Sequence, residues 1–137
     1  MIEVTDAQKQ IVRNTFATVT DANRLAALFY NNLFELDPST EQLFSGNMIE
    51  QRTKLIQTLS VVVNSLNDLS SIVPVIHALG QRHTSYGVTA AHWDSAGAAL
   101  LQTLEEVFGE AFTVDVRAAW ASTYTLIAQT ALESASP

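Results

Sequence analysis

Leu55, Ile56, Leu59, Val62, Val63 and Leu66 recur at steps of one, three, three, one and three residues. That spacing lays all six on one face of a helix. The same kind of pattern runs through most of the chain, and no stretch sustains the alternation of apolar and polar residues that marks a strand. Breaks are few, with five Gly and three Pro in the whole sequence. Thr5 and Gln8 form a capping-box pair that predicts a first helix over about residues 6–19. A second helix is predicted from about Asp21 to Leu36. Asp37-Pro38 then reads as a cap followed by proline at the first helical position, opening a short helix that ends near Phe44, before Ser45-Gly46-Asn47. The helix carrying the Leu55–Leu66 face follows. Asn67-Asp68-Leu69-Ser70-Ser71 reads as a turn. A fifth helix has Pro74 in its first turn and stops at Tyr86-Gly87. Thr89 caps a sixth, over about residues 90–108, closed by Gly109. Thr113 caps a seventh, running to about Leu132, and the tail Ser134-Ala135-Ser136-Pro137 is expected to fray.

About seven helices with short connections predict an all-α fold around one core. Periodicity does not distinguish a bundle from a crossed-helix arrangement. The 137 residues fit a single domain, 1–137. Hydrophobic residues make up 47% of the chain and charged residues only 15%, against about 25% charged in an average soluble domain. Two explanations suit that excess: a cofactor or partner that covers apolar surface, or a helical protein that is simply rich in alanine. The net charge of -7 and the absence of any basic run argue against nucleic acid and anionic membrane surfaces as partners. With no cysteine, disulfides, thiolate metal sites and cysteine nucleophiles are excluded. The N-terminal stretch lacks the features of a signal peptide, and no apolar run approaches the roughly 20 residues of a membrane span. A cytoplasmic location is the expectation.

Chemistry concentrates on few residues. In the fifth helix Ile72, Ile76 and Leu79 step by four and three residues, and the next step of four lands on His83. Its imidazole therefore projects from an apolar stripe. A buried, unpaired polar group costs about 1–3 kcal/mol, so His83 needs either a hydrogen-bonding side chain or a metal. His77 lies about 240° round the same helix, off the stripe, and is expected to be solvated. His92, in the first turn of the sixth helix, is expected to be exposed. No two histidines have the i, i+4 spacing of a helical zinc site, so one histidine plus a prosthetic group with its own equatorial ligands fits better than a protein-only metal site. Tyr30 sits among Ala26, Ala27, Leu33 and Phe34, and Gln51 lies one turn before Leu55 at the edge of an apolar face. Either residue alone reads as ordinary packing or surface. Together they offer a phenol O–H and an amide N–H, donors suited to a polarised dioxygen. Phe44 alone reads as a core aromatic. No nucleophile arrangement, phosphate loop or paired catalytic carboxylate stands out.

Taken in order, several stretches resemble the single-domain bacterial haemoglobins that match the globin part of flavohaemoglobins. These are Phe29-Tyr30-Asn31-Asn32-Leu33-Phe34, Asp37-Pro38, Leu43-Phe44, Gln51-Arg52, Asn67-Asp68-Leu69 with Pro74, Gln81-Arg82-His83-Thr84-Ser85-Tyr86-Gly87-Val88, and Ala119-Trp120 with Tyr124. Gln51 precedes His83 by 32 positions, which suits residues on opposite faces of a haem. The resemblance implies a globin fold, haem b (iron protoporphyrin IX), and His83 as axial ligand with its second ring nitrogen bonded to the Leu79 carbonyl. It also implies an apolar lining from Ile76, Leu79, Val88 and Leu55, a wedging Phe44, an Arg82 that pairs with a propionate, and Tyr30 and Gln51 facing the gas. The implied activity is reversible binding of dioxygen, or of other diatomic gases, for storage, transport or sensing. The alternative is a nitric oxide dioxygenase; with no flavin or nicotinamide module in this sequence, its turnover would call for a separate reductase. Two departures stand out. Trp93 occupies the place where the family often has a tyrosine behind the proximal histidine. The nearest acid in the last helix, Glu133, lies two positions before the family's glutamate, which puts an anionic push on the iron in doubt.

Overall fold

A computed structural model describes residues 4–44 and 46–133. Ser45 and the tail Ser134–Pro137, for which fraying was the expectation, lie outside the described residues. Six α-helices make the frame: α1 Asp6–Ala17, α2 Ala22–Leu36, α3 Met48–Asn64, α4 Val73–Ser85, α5 Ala90–Phe108 and α6 Val114–Glu133. Three 3₁₀ segments, Pro38–Leu43, Leu66–Ile72 and Gly109–Ala111, join them. Among the described residues there is no strand, and no single helix is long and apolar enough to cross a membrane.

Local chemistry sets the helix ends. The Thr5 side chain accepts from the Gln8 amide while the Gln8 side chain accepts from the Thr5 amide, closing the capping box of α1. The Asp21 side chain caps α2. The short helix opened by Asp37-Pro38 is 3₁₀ rather than α: the Asp37 carboxylate takes the Ser39 N–H, and only six residues follow before the chain turns. Residues 67–71, expected as a turn, lie in a 3₁₀ segment broken at Asp68 by φ -145° and ψ 60°. Chain direction changes sharply there, α3 and the Leu66–Ser85 stretch being bent by 112°.

At the end of α4 the Val88 amide donates to the His83 carbonyl and the Gly87 amide to the Thr84 carbonyl, at 3.0 Å each. This is the paired closure that needs a left-handed residue after the helix. Gly87 supplies it at φ 92°. The sequence pattern that stops the helix thus holds His83 in its last turn.

Packing follows residue size and hydrogen bonding. The α2–α5 interface buries Leu25, Ala26, Phe29, Asn32 and Leu33 against Ala99, Leu100, Thr103 and Leu104. Its register is fixed by the Asn32 amide donating to the Thr103 hydroxyl at 3.0 Å. On α6 the buried Ala119, Thr123, Ala128 and Ala131 are small, and α1 and α4 pack closely on that helix. Trp120 joins α6 to α1 by an indole N–H to Thr15 Oγ1 bond of 2.9 Å. No comparable packed interface joins α3 to α4: α3 packs mainly on α2, and α4 on α6.

His92 corrects an expectation. It is half-buried, and its Nδ1 accepts from the Thr89 amide at 3.0 Å in a second capping box that opens α5. Nδ1 is therefore unprotonated and Nε2 carries the proton of the neutral ring, which points at Ser39 Oγ, 3.4 Å away. Thr89→Ala removes the hydroxyl that receives the His92 amide. The expected cost is about 1 kcal/mol of unfolding free energy, read from urea denaturation curves.

Candidate functional site

His83 sits where the apolar face of α4 ends. Ile72, Ile76 and Gly80 are buried, Leu79 and His83 half-buried. Four residues make just over one helical turn, so the Leu79 carbonyl lies under the His83 ring. Nδ1 is 2.7 Å from that carbonyl, and a carbonyl accepts only, so Nδ1 carries the proton. Nε2 is then an unprotonated lone pair, and among the described residues no hydrogen bond reaches it. Burial lowers the His83 pKa below the usual imidazole value, the bond to Leu79 opposes this, and the Arg82 charge assists it. The ring is therefore neutral near pH 7.

One flank of the imidazole is covered by Trp93, which is buried near the start of α5. The two ring centroids are 5.3 Å apart at an interplanar angle of 35°. Glu133 is exposed at the end of α6 and does not figure among the charges that shift His83. Arg82 is exposed, with no acidic partner among the described residues. His77, expected to be solvated, is half-buried, because α4 is flanked by both α6 and the Leu66–Ile72 segment.

Tyr30 is brought to Gln51 by the packing of α2 on α3. The phenol donates to the backbone carbonyl of Gln51, not to its side chain, at 3.4 Å. That is longer than the roughly 2.5–3.0 Å of an ordinary O–H···O bond. Burial pushes the Tyr30 pKa up to about 12, so the hydroxyl keeps its proton. The ring is wedged between aromatics, edge-on to Phe29 at 5.1 Å and to Phe44 at 5.3 Å, with Phe34 at 6.1 Å. Phe44 follows the Pro38–Leu43 segment, and that segment fixes its approach to Tyr30.

Leu55, Leu79, Val88 and Phe44 are half-buried and packed against the core. Cavities of about 330 and 280 Å³ lie elsewhere, at the α1–α2 corner and between α1 and α3, and neither is lined by His83 or Tyr30. The site is thus marked by its chemistry. One feature was not legible in the sequence: the Tyr124 hydroxyl donates to the Trp93 carbonyl at 2.6 Å. Nothing local signals a bond between residues 31 positions apart.

A family model, Globin, matches residues 27–131. The chain is 26% identical to a flavohemoprotein of Vibrio cholerae over 92% of its own length, of which it spans only 33%. It is also 26% identical to a neuroglobin of Dissostichus mawsoni, covering 93% of this chain and 89% of that one. Among solved structures, an engineered carbene transferase from Rhodothermus marinus superposes with a TM-score of 0.83 at 26% identity, covering 93% of this chain and 89% of the other. The helical frame, the lone histidine at the end of α4 and a family match over most of the chain agree: the chain belongs to the globin family.

Proposed function

We propose that this globin domain holds haem b through His83 and binds dioxygen reversibly. The observation that carries the reading is the state of His83: a neutral imidazole with Nδ1 tied to Leu79 and Nε2 left without a hydrogen bond among the described residues. A metal ligand needs that lone pair, and the anchored second nitrogen is the usual means of fixing the tautomer. The donor set also fits a cofactor with its own equatorial ligands. Among the described residues no three His, Cys, Asp or Glu side chains converge as a metal site, and α3 and α4 are not among the helix pairs that pack closely.

When bound, haem supplies a ferrous iron that takes up a diatomic gas. The chain's own residues do the rest. Leu55, Leu79, Val88 and Trp93 would exclude water, which would slow oxidation of the metal. Phe44 would pack against the group, and the Arg82 guanidinium, which has no acidic partner among the described residues, would pair with a propionate. Tyr30 and Gln51 would offer the hydrogen-bond donors to the gas. A second reading, nitric oxide dioxygenase activity served by a separate reductase, draws on the similarity to a flavohemoprotein. Nitric oxide consumption under aerobic, reducing conditions, assayed with nitrate production, separates the two.

Spectra of the purified protein in ferric, ferrous and gas-exposed forms test the main reading. A Soret band that shifts reversibly with dioxygen is expected, and a colourless protein that takes up no added haemin would overturn it. Removal of haem should also lower stability. A ligand that binds only the folded chain stabilises it by about 4 kcal/mol at a thousandfold excess over Kd. The haem-free protein is expected to melt well below the loaded one by circular dichroism, and equal midpoints would count against the site.

A further inference from the structure

Two contacts restrain the His83 ring. One is the Nδ1 bond to Leu79 at 2.7 Å, which holds a single atom of the ring. The other is the Trp93 indole lying 5.3 Å away at 35°, which limits rotation of the ring about the Cβ–Cγ bond. Trp93 is itself tied down. Its carbonyl receives the Tyr124 hydroxyl from α6 at 2.6 Å. The Tyr124 ring lies directly on the α5 backbone at Gly97, where a Cβ would sit 2.7 Å from Cε2 and 3.0 Å from Cδ2. Only glycine at that point lets the phenol reach a carbonyl one turn earlier on the same helix. Because α6 also packs on α4, the helix that carries His83, this bond ties α6 to α5 beside the imidazole.

We infer that Tyr124 is a positioning residue for the His83 imidazole, acting through Trp93, with Gly97 as the gap that admits it. This rests on the reading of His83 as axial ligand. Tyr124→Phe removes the hydroxyl and keeps the ring on Gly97. Gly97→Ala forces the ring away and breaks the same bond from the other side.

The test is resonance Raman of the ferrous, gas-free holoprotein, reading the iron–histidine stretching band. Tyr124→Phe and Gly97→Ala are both expected to shift and broaden that band. Tyr86→Phe should leave it in place, since Tyr86 is exposed, 6.5 Å from the His83 ring centroid, and among the described residues its hydroxyl makes no hydrogen bond. Melting curves of the same samples separate positioning from plain stabilisation. A Tyr124→Phe protein with a lowered melting midpoint but an unmoved band overturns the inference, because the hydroxyl then only holds helices together. A wild-type protein with a Soret band but no iron–histidine band overturns the axial assignment itself, a different result from an unmoved band.

Discussion

His83→Ala protein is expected to purify without a stable Soret band, while His77→Ala and His92→Ala keep theirs. The three histidines are equivalent in composition and differ in what their ring nitrogens already do. His92 spends Nδ1 on the Thr89 amide and directs Nε2 at Ser39, so its loss costs the α5 cap and leaves the cofactor site alone. His77 is half-buried on α4, six positions and about 240° away from His83 round the helix. His83 combines an anchored Nδ1 with an Nε2 that no hydrogen bond reaches among the described residues, in a setting that keeps the ring neutral. Removing a partner that merely orients a ligand typically weakens a metal site by roughly 10- to 100-fold. Loss of the ligand itself should exceed that, so haem should pass from the variant to apomyoglobin within mixing experiments that leave wild type loaded. Free imidazole fits the space vacated by the side chain and should restore the ferrous spectrum in part. An unchanged spectrum and unchanged haem retention in His83→Ala would remove the basis of the proposed site.

How much of this was legible in the sequence depends on the range of the interaction. Capping is local, so Thr5 with Gln8 and Thr89 before α5 could be read directly. The bond from His83 to Leu79 was implied by the resemblance, and helix geometry agrees with it by placing the carbonyl four residues back beneath the ring. The pattern could not show that residues 38–43 coil as 3₁₀: Asp37 and Pro38 start either helix, and the difference lies in how soon the chain must turn. His92 was misread as exposed because histidine is an unusual third residue for a capping box, although its spacing from Thr89 is the ordinary one. Trp93 was placed behind His83 by resemblance, and the ring contact accords with that placement. The hydroxyl that supports Trp93 comes from another helix and depends on the close approach allowed by Gly97. Such contacts exist only after α5 and α6 have packed, and no spacing rule announces them.

Tyr30→Phe is expected to speed dioxygen release by on the order of tenfold to a hundredfold, with little change in association. The starting point is charge. Dioxygen held by ferrous iron acquires superoxide-like character, whereas carbon monoxide stays nearly neutral. A nearby O–H therefore favours the first selectively. Tyr30 is suited to supply it, since burial lifts its pKa to about 12 and the hydroxyl remains a donor through the neutral range. Its present partner is weak, the Gln51 carbonyl at 3.4 Å, so turning the proton toward a better acceptor gives up little. A hydrogen bond to a charged group contributes about 1.5–3 kcal/mol, and each 1.4 kcal/mol is about a factor of ten in an equilibrium constant. Substitution by phenylalanine keeps the ring that packs between Phe29 and Phe44, so the pocket should persist and only the donor should vanish. Gln51→Leu should have a smaller effect, because it is the Gln51 backbone that meets Tyr30. The double variant should fall short of the sum of the two, as both donors address one ligand. Stopped-flow dissociation rates for dioxygen and carbon monoxide measure this directly. Carbon monoxide release should barely move, and a wild-type rate of dioxygen release from Tyr30→Phe would leave Tyr30 as a core aromatic with no part in holding the gas.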